Sequence, residues 1–197
     1  LRENDIPAQD RLYATMDRLR LQVRPGLAVR GLFWQASVLM RRTQFGAALA
    51  KLDLLLSLCV DVEVPLRDRG LYFELRAYAL AGLQRWDEAE AQAQALAQHQ
   101  SGGQLEMART IAAALCAARA VAEGTPQAHD LALQAVRLAA AQKWQRLLVG
   151  FPHWAAQLAQ IALDAGVDVE LTTAMIRARR LVPPDPHRGD WPWRLRV

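Results

Sequence analysis

The sequence predicts an all-α protein made of stacked antiparallel helix hairpins, with an extended Pro/Trp-rich tail at its C-terminus. Three observations lead to this prediction. Apolar residues recur at the three- and four-residue spacing of a helix, short polar connections join neighbouring helices into pairs, and the pairs repeat at a regular interval. We expect the repeats to occupy residues 1–180 and the tail to occupy residues 181–197. No sheet is predicted.

The first predicted pair runs from Leu27 to Arg42 and from Phe45 to Cys59. The connection between the two helices is so short that they must run antiparallel. In the second helix the apolar residues fall on one stripe of the helical surface: Phe45, Ala48, Leu49, Leu52, Leu55, Leu56 and Cys59.

The second predicted pair consists of Leu71–Leu83 and Trp86–His99, and Asp87 and Glu88 lie in the first turn of its second helix, where the helix dipole favours acids. The third pair consists of Leu105–Glu123 and Pro126–Gln142. In the turn between them we expect Gly124 to end one helix, Thr125 to cap the next, and Pro126 to take its first position.

The second helices of the three pairs begin at Phe45, Trp86 and Pro126, which are 41 and then 40 residues apart. Regular spacing in this range indicates a helical array in which each hairpin buries its apolar face against its neighbours. Two more helices are expected to close the array, one from Pro152 to Gly166 and one capped by Asp168. A further helix is expected ahead of the array, at residues 7–21.

The bulk composition is that of a globular protein, with 52% hydrophobic and 22% charged residues. No apolar run approaches the roughly 18 residues that a membrane span needs, so no membrane association is expected. Cys59 and Cys116 lie in apolar helical stripes, which favours two reduced, buried thiols over a disulfide. Reduced thiols in turn favour a cytoplasmic location. The N-terminus has neither methionine nor a signal core, so we expect either a piece of a longer protein or a protein trimmed to its ordered part.

The net charge of +4 is concentrated at the C-terminus, where residues 176–197 contain six arginines and two aspartates. A nearly neutral body is not the footprint of a dedicated nucleic-acid domain, which would spread its basic residues over one face. Three interpretations of the tail stay open: a linker packed on the last helices through Trp191 and Trp193, a contact to DNA phosphates in the parent protein, or the first strand of a following domain.

The second pair resembles a tetratricopeptide repeat, because its small and bulky residues stand where that motif places them: Ala77, Leu80, Trp86 and Ala89. The first pair has the same pattern at Ala36, Leu39, Phe45 and Ala48. The chain departs from the motif at Ala93, where a large residue is usual, and no proline closes either unit. Its period is also longer than the standard repeat by about seven residues.

Longer hairpins of this kind are similar to the helical-repeat domain of the MalT family of bacterial transcription activators. The stretches Ala162–Val167, Met175–Pro184 and Trp191–Trp193 add to this resemblance. It implies a non-catalytic module that receives an effector or a partner protein and passes the signal to ATPase and DNA-binding parts lying outside these residues. The alternative is a general protein–protein interaction scaffold unrelated to transcription.

No catalytic or cofactor site is expected. The sequence lacks a phosphate-binding glycine motif, and its four histidines never stand at the i, i+4 spacing of a helical metal site. His129 and Asp130 are adjacent on a helix and point about 100° apart, so we interpret them as part of a solvated face. Catalytic residues, metals and cofactors are therefore all predicted to be absent.

The resemblance also implies that the first helix of each pair lines a concave face, which gives the candidate binding residues Arg30, Phe33, Ser37, Met40, Leu71, Glu74 and Tyr78. Such a groove would suit a protein or peptide partner or a small effector. The alternative is that Phe33, Met40 and Leu71 simply pack against neighbouring helices. DNA is expected to be contacted only through other domains, and self-association through the apolar ends of the array is a further expectation.

Overall fold

The computed structural model describes residues 15, 25–59, 66–98, 103–142, 152–187, 189 and 191–192. Within these residues the chain forms helices and no strand, which confirms the all-helical prediction. The eight helices found there are α1 (Pro25–Arg41), α2 (Phe45–Leu58), α3 (Leu66–Gly82), α4 (Trp86–Gln98), α5 (Gly103–Glu123), α6 (Ala128–Ala141), α7 (Pro152–Asp164) and α8 (Val169–Arg179).

Two predictions fall largely on other parts of the chain. The helix expected at residues 7–21 lies outside the described residues except for Thr15, which is helical. Trp193 and the strand-like alternation around it also lie outside them. In the part of the chain that is described, no helix combines the length and the apolar character needed to cross a bilayer.

The helices form four consecutive hairpins: α1–α2, α3–α4, α5–α6 and α7–α8. Each helix packs against the one that follows it, and the first helices of the first three hairpins also touch in sequence, α1 against α3 and α3 against α5. The predicted pairs are therefore present, although α3 begins at Leu66 rather than at the predicted Leu71.

The turns inside the four hairpins share one backbone geometry. In each turn a residue just after the first helix adopts a left-handed conformation, and the N–H of the next residue donates to the carbonyl five positions before it, which is the Schellman pattern of a helix C-terminus. The left-handed residues of this pattern are Thr43 (φ 57°), Gln84 (φ 60°), Gly124 (φ 64°) and Gly166 (φ 66°). In the fourth turn Asp168 (φ 41°), at the start of α8, is left-handed as well. The hydrogen bonds are Gln44 to Leu39 (2.9 Å), Arg85 to Leu80 (3.0 Å), Thr125 to Ala120 (3.0 Å) and Val167 to Ala162 (2.9 Å).

The third turn differs from the capping that the sequence predicted for α6. The helix α6 begins at Ala128 rather than at Pro126, its N-cap residue is Gln127, and no side chain caps it. Thr125 instead serves the preceding helix, because both its N–H (3.0 Å) and its hydroxyl (3.5 Å) are directed at the Ala120 carbonyl. Because Gln127 takes the N-cap position and no side chain caps α6, the predicted capping by Thr125 and the predicted start at Pro126 were wrong.

Asp168 does occupy the N-cap position of α8, as expected. Its side chain makes no capping hydrogen bond, however, and its carbonyl accepts the N–H of Thr172 at 2.8 Å.

The main core extends through all four hairpins and is rich in alanine. The side chains of Ala36, Ala48, Ala77 and Ala89 have no exposed surface. A buried alanine loses no side-chain entropy on folding, and its small size lets helix axes approach closely. A smaller cluster joins α1, α2 and α3 through Val29, Leu32, Leu55, Cys59 and Tyr72.

Both cysteines are free thiols, Cys59 buried and Cys116 half-buried. Burial raises the pKa of each thiol, so both stay protonated and unreactive at neutral pH.

Two arginines connect neighbouring helices through polar contacts. Arg76 on α3 donates to Asp53 on α2 (2.7 Å) and to Gln92 on α4 (2.8 Å). Arg119 on α5 donates to Asp87 (2.8 Å) and Glu90 (3.4 Å) on α4, and to Glu123 (2.9 Å) on its own helix. The surrounding carboxylates raise the pKa of the Arg119 guanidinium. These contacts join successive helices through partly exposed side chains.

Candidate partner-binding surface

The seven predicted binding residues lie on α1 and α3, the first helices of the first two hairpins. The structure divides them by accessibility. Arg30 is exposed, and Phe33, Ser37 and Leu71 are half-buried. In contrast Met40 and Tyr78 are each only 1% exposed, and Glu74 is 7% exposed. The partner-binding role of these residues stays a prediction, and four of the seven present surface to a partner.

The half-buried residues are held by contacts between α1 and α3. The ring of Phe33 packs against that of Tyr72 on α3, with 5.3 Å between their centroids. The Ser37 hydroxyl donates to the Phe33 carbonyl at 2.8 Å, one turn earlier in the same helix. Because its proton is already engaged, Ser37 offers a partner chiefly its oxygen lone pairs.

Three of the candidate residues, Met40, Glu74 and Tyr78, are enclosed by the chain itself. Met40 and Tyr78 belong to the main core. On the last helix, α8, burial lowers the pKa of the Arg179 guanidinium, and the Tyr78 phenol opposes that shift.

The most accessible part of the surface is a strip of α1. Leu27 is 58% and Trp34 60% exposed, which is unusual for large apolar side chains, and Arg30 and Arg41 on the same strip are exposed as well. At the helical repeat these residues share one side of α1, facing away from the buried side that carries Val29, Leu32 and Ala36. We call this strip the α1 face and define it as Leu27, Arg30, Trp34, Ser37 and Arg41.

Sequence reasoning identified Arg30 and Ser37 on this face and missed Leu27, Trp34 and Arg41. A usable signal was present: Trp34 follows Arg30 by four residues and Leu27 by seven, so the three share one side of the helix. Sequence alone does not show whether a tryptophan so placed is covered by another helix.

The α1 face is electrostatically one-sided. The helix α1 contains no aspartate or glutamate. Among the described residues neither Arg30 nor Arg41 has an ion-pair partner. The arrangement offers an apolar centre flanked by two positive charges, which suits an apolar side chain accompanied by acidic groups.

Among the described residues, those considered for metal or acid–base chemistry do not assemble into a site. Across the described ranges no group of three or more histidine, cysteine, aspartate or glutamate side chains could hold a metal ion. His129 and Asp130 are both exposed, with 3.8 Å between Nδ1 and the carboxylate, which agrees with a solvated helix face.

No protein-family model, no curated protein and no solved structure matches the chain.

Proposed function

We propose that this chain is a non-catalytic, tetratricopeptide-like helical-repeat module of a MalT-like bacterial transcriptional regulator. It binds an effector or a partner protein on the side formed by the first helices of its hairpins. It then transmits the signal to ATPase and DNA-binding parts that lie outside these residues. The module itself supplies recognition and mechanical coupling.

The observation that supports this proposal best is the repetition of one turn geometry. The left-handed residues at positions 43, 84, 124 and 166 are 41, 40 and 42 residues apart. Two of them are neither glycine nor asparagine, so the repetition comes from the hairpin architecture rather than from a repeated glycine. A period in this range, with each hairpin packed on the next, is typical of an α-solenoid.

The packing of small against large residues supports it as well. The first and second hairpins place alanines without exposed surface at equivalent positions 41 residues apart, Ala36 with Ala77 and Ala48 with Ala89. Because neighbouring hairpins share one core, a displacement of α1 by a bound partner must be accommodated by α2 and α3. This is the physical route by which binding at one end can reach domains attached elsewhere.

The test is a thermal-shift screen of candidate peptides and metabolites on the full chain, followed by affinity measurements on Arg30→Ala. We expect a hit to raise the melting temperature, and Arg30→Ala to weaken its binding while Arg137→Ala, an exposed arginine of α6, leaves it unchanged. Equal affinity of every hit for both variants would contradict a binding site on α1.

The regulator context is tested separately from binding. We expect the chain to hydrolyse no ATP and to bind duplex DNA only weakly and in a salt-dependent way. A phosphate-binding motif encoded upstream and a DNA-binding domain encoded downstream would support the MalT-like context. Their absence from the gene would favour a general interaction scaffold.

A further inference from the structure

We propose that the α1 face is the docking site for an acidic, amphipathic helical peptide, whose apolar side chain rests on Trp34 while its carboxylates pair with Arg30 and Arg41. This inference rests on the proposed function as a partner-binding module and specifies the chemistry of the partner.

The apolar part of the site is Trp34 together with Leu27. More than half of each side chain is in contact with solvent, although the opposite side of α1 is fully packed. The Trp34 side chain is supported from within its own helix, because its ring meets that of Phe33 edge-on at 6.0 Å, and Phe33 is itself packed on Tyr72. A partly immobilised tryptophan next to arginines is the composition of a binding hot spot.

The two arginines determine the length of the partner helix and the sign of its charge. Arg30 and Arg41 stand eleven positions apart on a straight helix, a distance of about 16 Å along its axis. The helix between them carries no acid that would neutralise them. A partner helix with acidic residues about three turns apart and leucine or phenylalanine between them places a carboxylate near each guanidinium.

The shape of the surface favours a helix over a bilayer. The helix α1 is packed on one side by α2 and on another by α3, through the contact of Phe33 with Tyr72. The accessible strip is therefore about one helix wide, which a partner helix packed side by side with α1 would cover. A flat membrane surface would need a broader set of exposed apolar side chains.

The charges also disfavour a second copy of this chain as the occupant. A symmetric antiparallel pairing of two α1 helices, centred next to Trp34, brings Arg30 of one copy against Arg41 of the other. Like charges facing each other across an interface oppose association, so the acidic partner is favoured.

The experiment measures fluorescence anisotropy of two labelled synthetic peptides on the full chain. Both are amphipathic helices of about 18 residues with the same leucine stripe, and one carries glutamates where the other carries lysines. We expect the glutamate peptide to bind and the lysine peptide not to. We also expect its affinity to fall as salt is raised, because the charged groups are exposed and therefore screened.

Matched variants locate the binding. We expect the affinity for the glutamate peptide to fall by about tenfold or more in Trp34→Ala, and also in the double variant Arg30→Glu with Arg41→Glu. Two controls are expected to stay within about twofold of the parent chain, since neither touches the face. They are Val182→Ala, which removes an equally exposed apolar side chain, and Arg137→Glu, which reverses an exposed charge on α6. Circular dichroism confirms that all variants fold.

Several outcomes overturn the inference. Equal binding of both peptides would show that the surface does not recognise the charge of its partner. Glutamate-peptide binding that Trp34→Ala leaves intact would show that Trp34 is not the apolar contact. Trp34-dependent sedimentation with phosphatidylcholine–phosphatidylserine vesicles and no peptide binding would make the face a lipid contact. A dimer that Trp34→Ala dissociates would make it a self-interface. If neither peptide binds but a screening hit depends on Arg30, only this inference fails; if no Arg30-dependent hit exists either, the proposed function fails with it.

Discussion

Gly82, the last residue of α3, is a position where two hairpins approach each other very closely. A Cβ atom placed on Gly82 would lie 2.5 Å from Cγ of Phe45, and 2.6 and 2.7 Å from its two Cδ atoms. Cγ is the ring atom nearest the Phe45 backbone, so rotation of the ring cannot relieve the overlap. Gly82→Ala must therefore displace the Phe45 side chain or separate α2 from the end of α3.

The expected size of this effect follows from two opposing contributions. Replacing a helical glycine by alanine stabilises by about 0.5–1 kcal/mol when there is room, whereas overpacking a well-filled contact costs about 1–3 kcal/mol. We expect Gly82→Ala to lower the free energy of unfolding by about 1–2 kcal/mol. Gly46→Ala in α2 is the matched control: a Cβ atom placed on Gly46 meets nothing within 4 Å, so this variant should gain about 0.5 kcal/mol.

Urea unfolding followed by circular dichroism measures both variants, and the midpoint reports the change when the slope is constant. Phe45→Leu combined with Gly82→Ala completes a double-mutant cycle, and the smaller side chain should recover part of the loss. The reasoning is refuted if Gly82→Ala stabilises as much as Gly46→Ala, because Phe45 would then not be packed on Gly82.

Three further changes test the turns, a helix–helix hydrogen bond and the tail. Thr43→Gly should raise the free energy of unfolding by about 1 kcal/mol, since a β-branched residue is strained at φ 57°; Gly124→Ala should lower it by about as much, and thermal melts report both. Gln142→Ala removes the 2.7 Å hydrogen bond from its Nε2 to the buried Thr110 hydroxyl and should cost about 1 kcal/mol by urea unfolding, with faster hydrogen exchange at the end of α6. Trp191→Phe keeps an aromatic ring but loses the 2.8 Å bond from the indole N–H to the Leu181 carbonyl, and a loss of about 1 kcal/mol is expected in the same assay. Unchanged stability in any of them would contradict the corresponding contact.

The helices were predictable because their signal is local. The stripe through Leu52 and Leu55 follows from spacing alone, and both side chains are fully buried. The start of α3 was missed for the same reason. Residues 67–70 are two arginines, an aspartate and a glycine, which carry no apolar stripe, and yet they are helical. Continuation of the helix through such a segment depends on tertiary packing, which outweighs weak local preference.

The backbone conformation of the turns could be predicted only in part from local sequence. Glycine marked the left-handed position in two of the four Schellman turns, Gly124 and Gly166, whereas Thr43 and Gln84 gave no such sign. Their strained conformation is imposed by the need to reverse the chain within a few residues. The Thr125 error has the same origin, because its sequence fits a helix start equally well as a helix end.

The candidate site was only partly predictable because periodicity tells which face a residue occupies but not what lies opposite. Tyr78 was correctly placed on the first helix of its pair, yet it is only 1% exposed and belongs to the main core. Trp34 presents the reverse case, since a tryptophan in an apolar helix is usually core and this one is exposed. Both outcomes depend on contacts between residues far apart in sequence.

Trp34 and Trp191 allow the binding interpretation to be separated from a structural one. An array of hairpins leaves apolar surface where no further hairpin covers it. After α8 the following segment of the chain covers that surface. Trp191 is 4% exposed and its indole N–H donates to the Leu181 carbonyl, and Arg177 donates to the Pro192 carbonyl at 3.3 Å. Trp34, at 60% exposed, has no such cover from the described part of the chain. We therefore expect Trp34→Ala to change the free energy of unfolding by less than about 0.5 kcal/mol while weakening glutamate-peptide binding by about tenfold or more. We expect Trp191→Phe to lower the free energy of unfolding by about 1 kcal/mol and to leave glutamate-peptide binding unchanged. If Trp34→Ala destabilised the chain as much as Trp191→Phe does, Trp34 would be a packing residue, and its exposure would no longer support a partner-binding role for the α1 face.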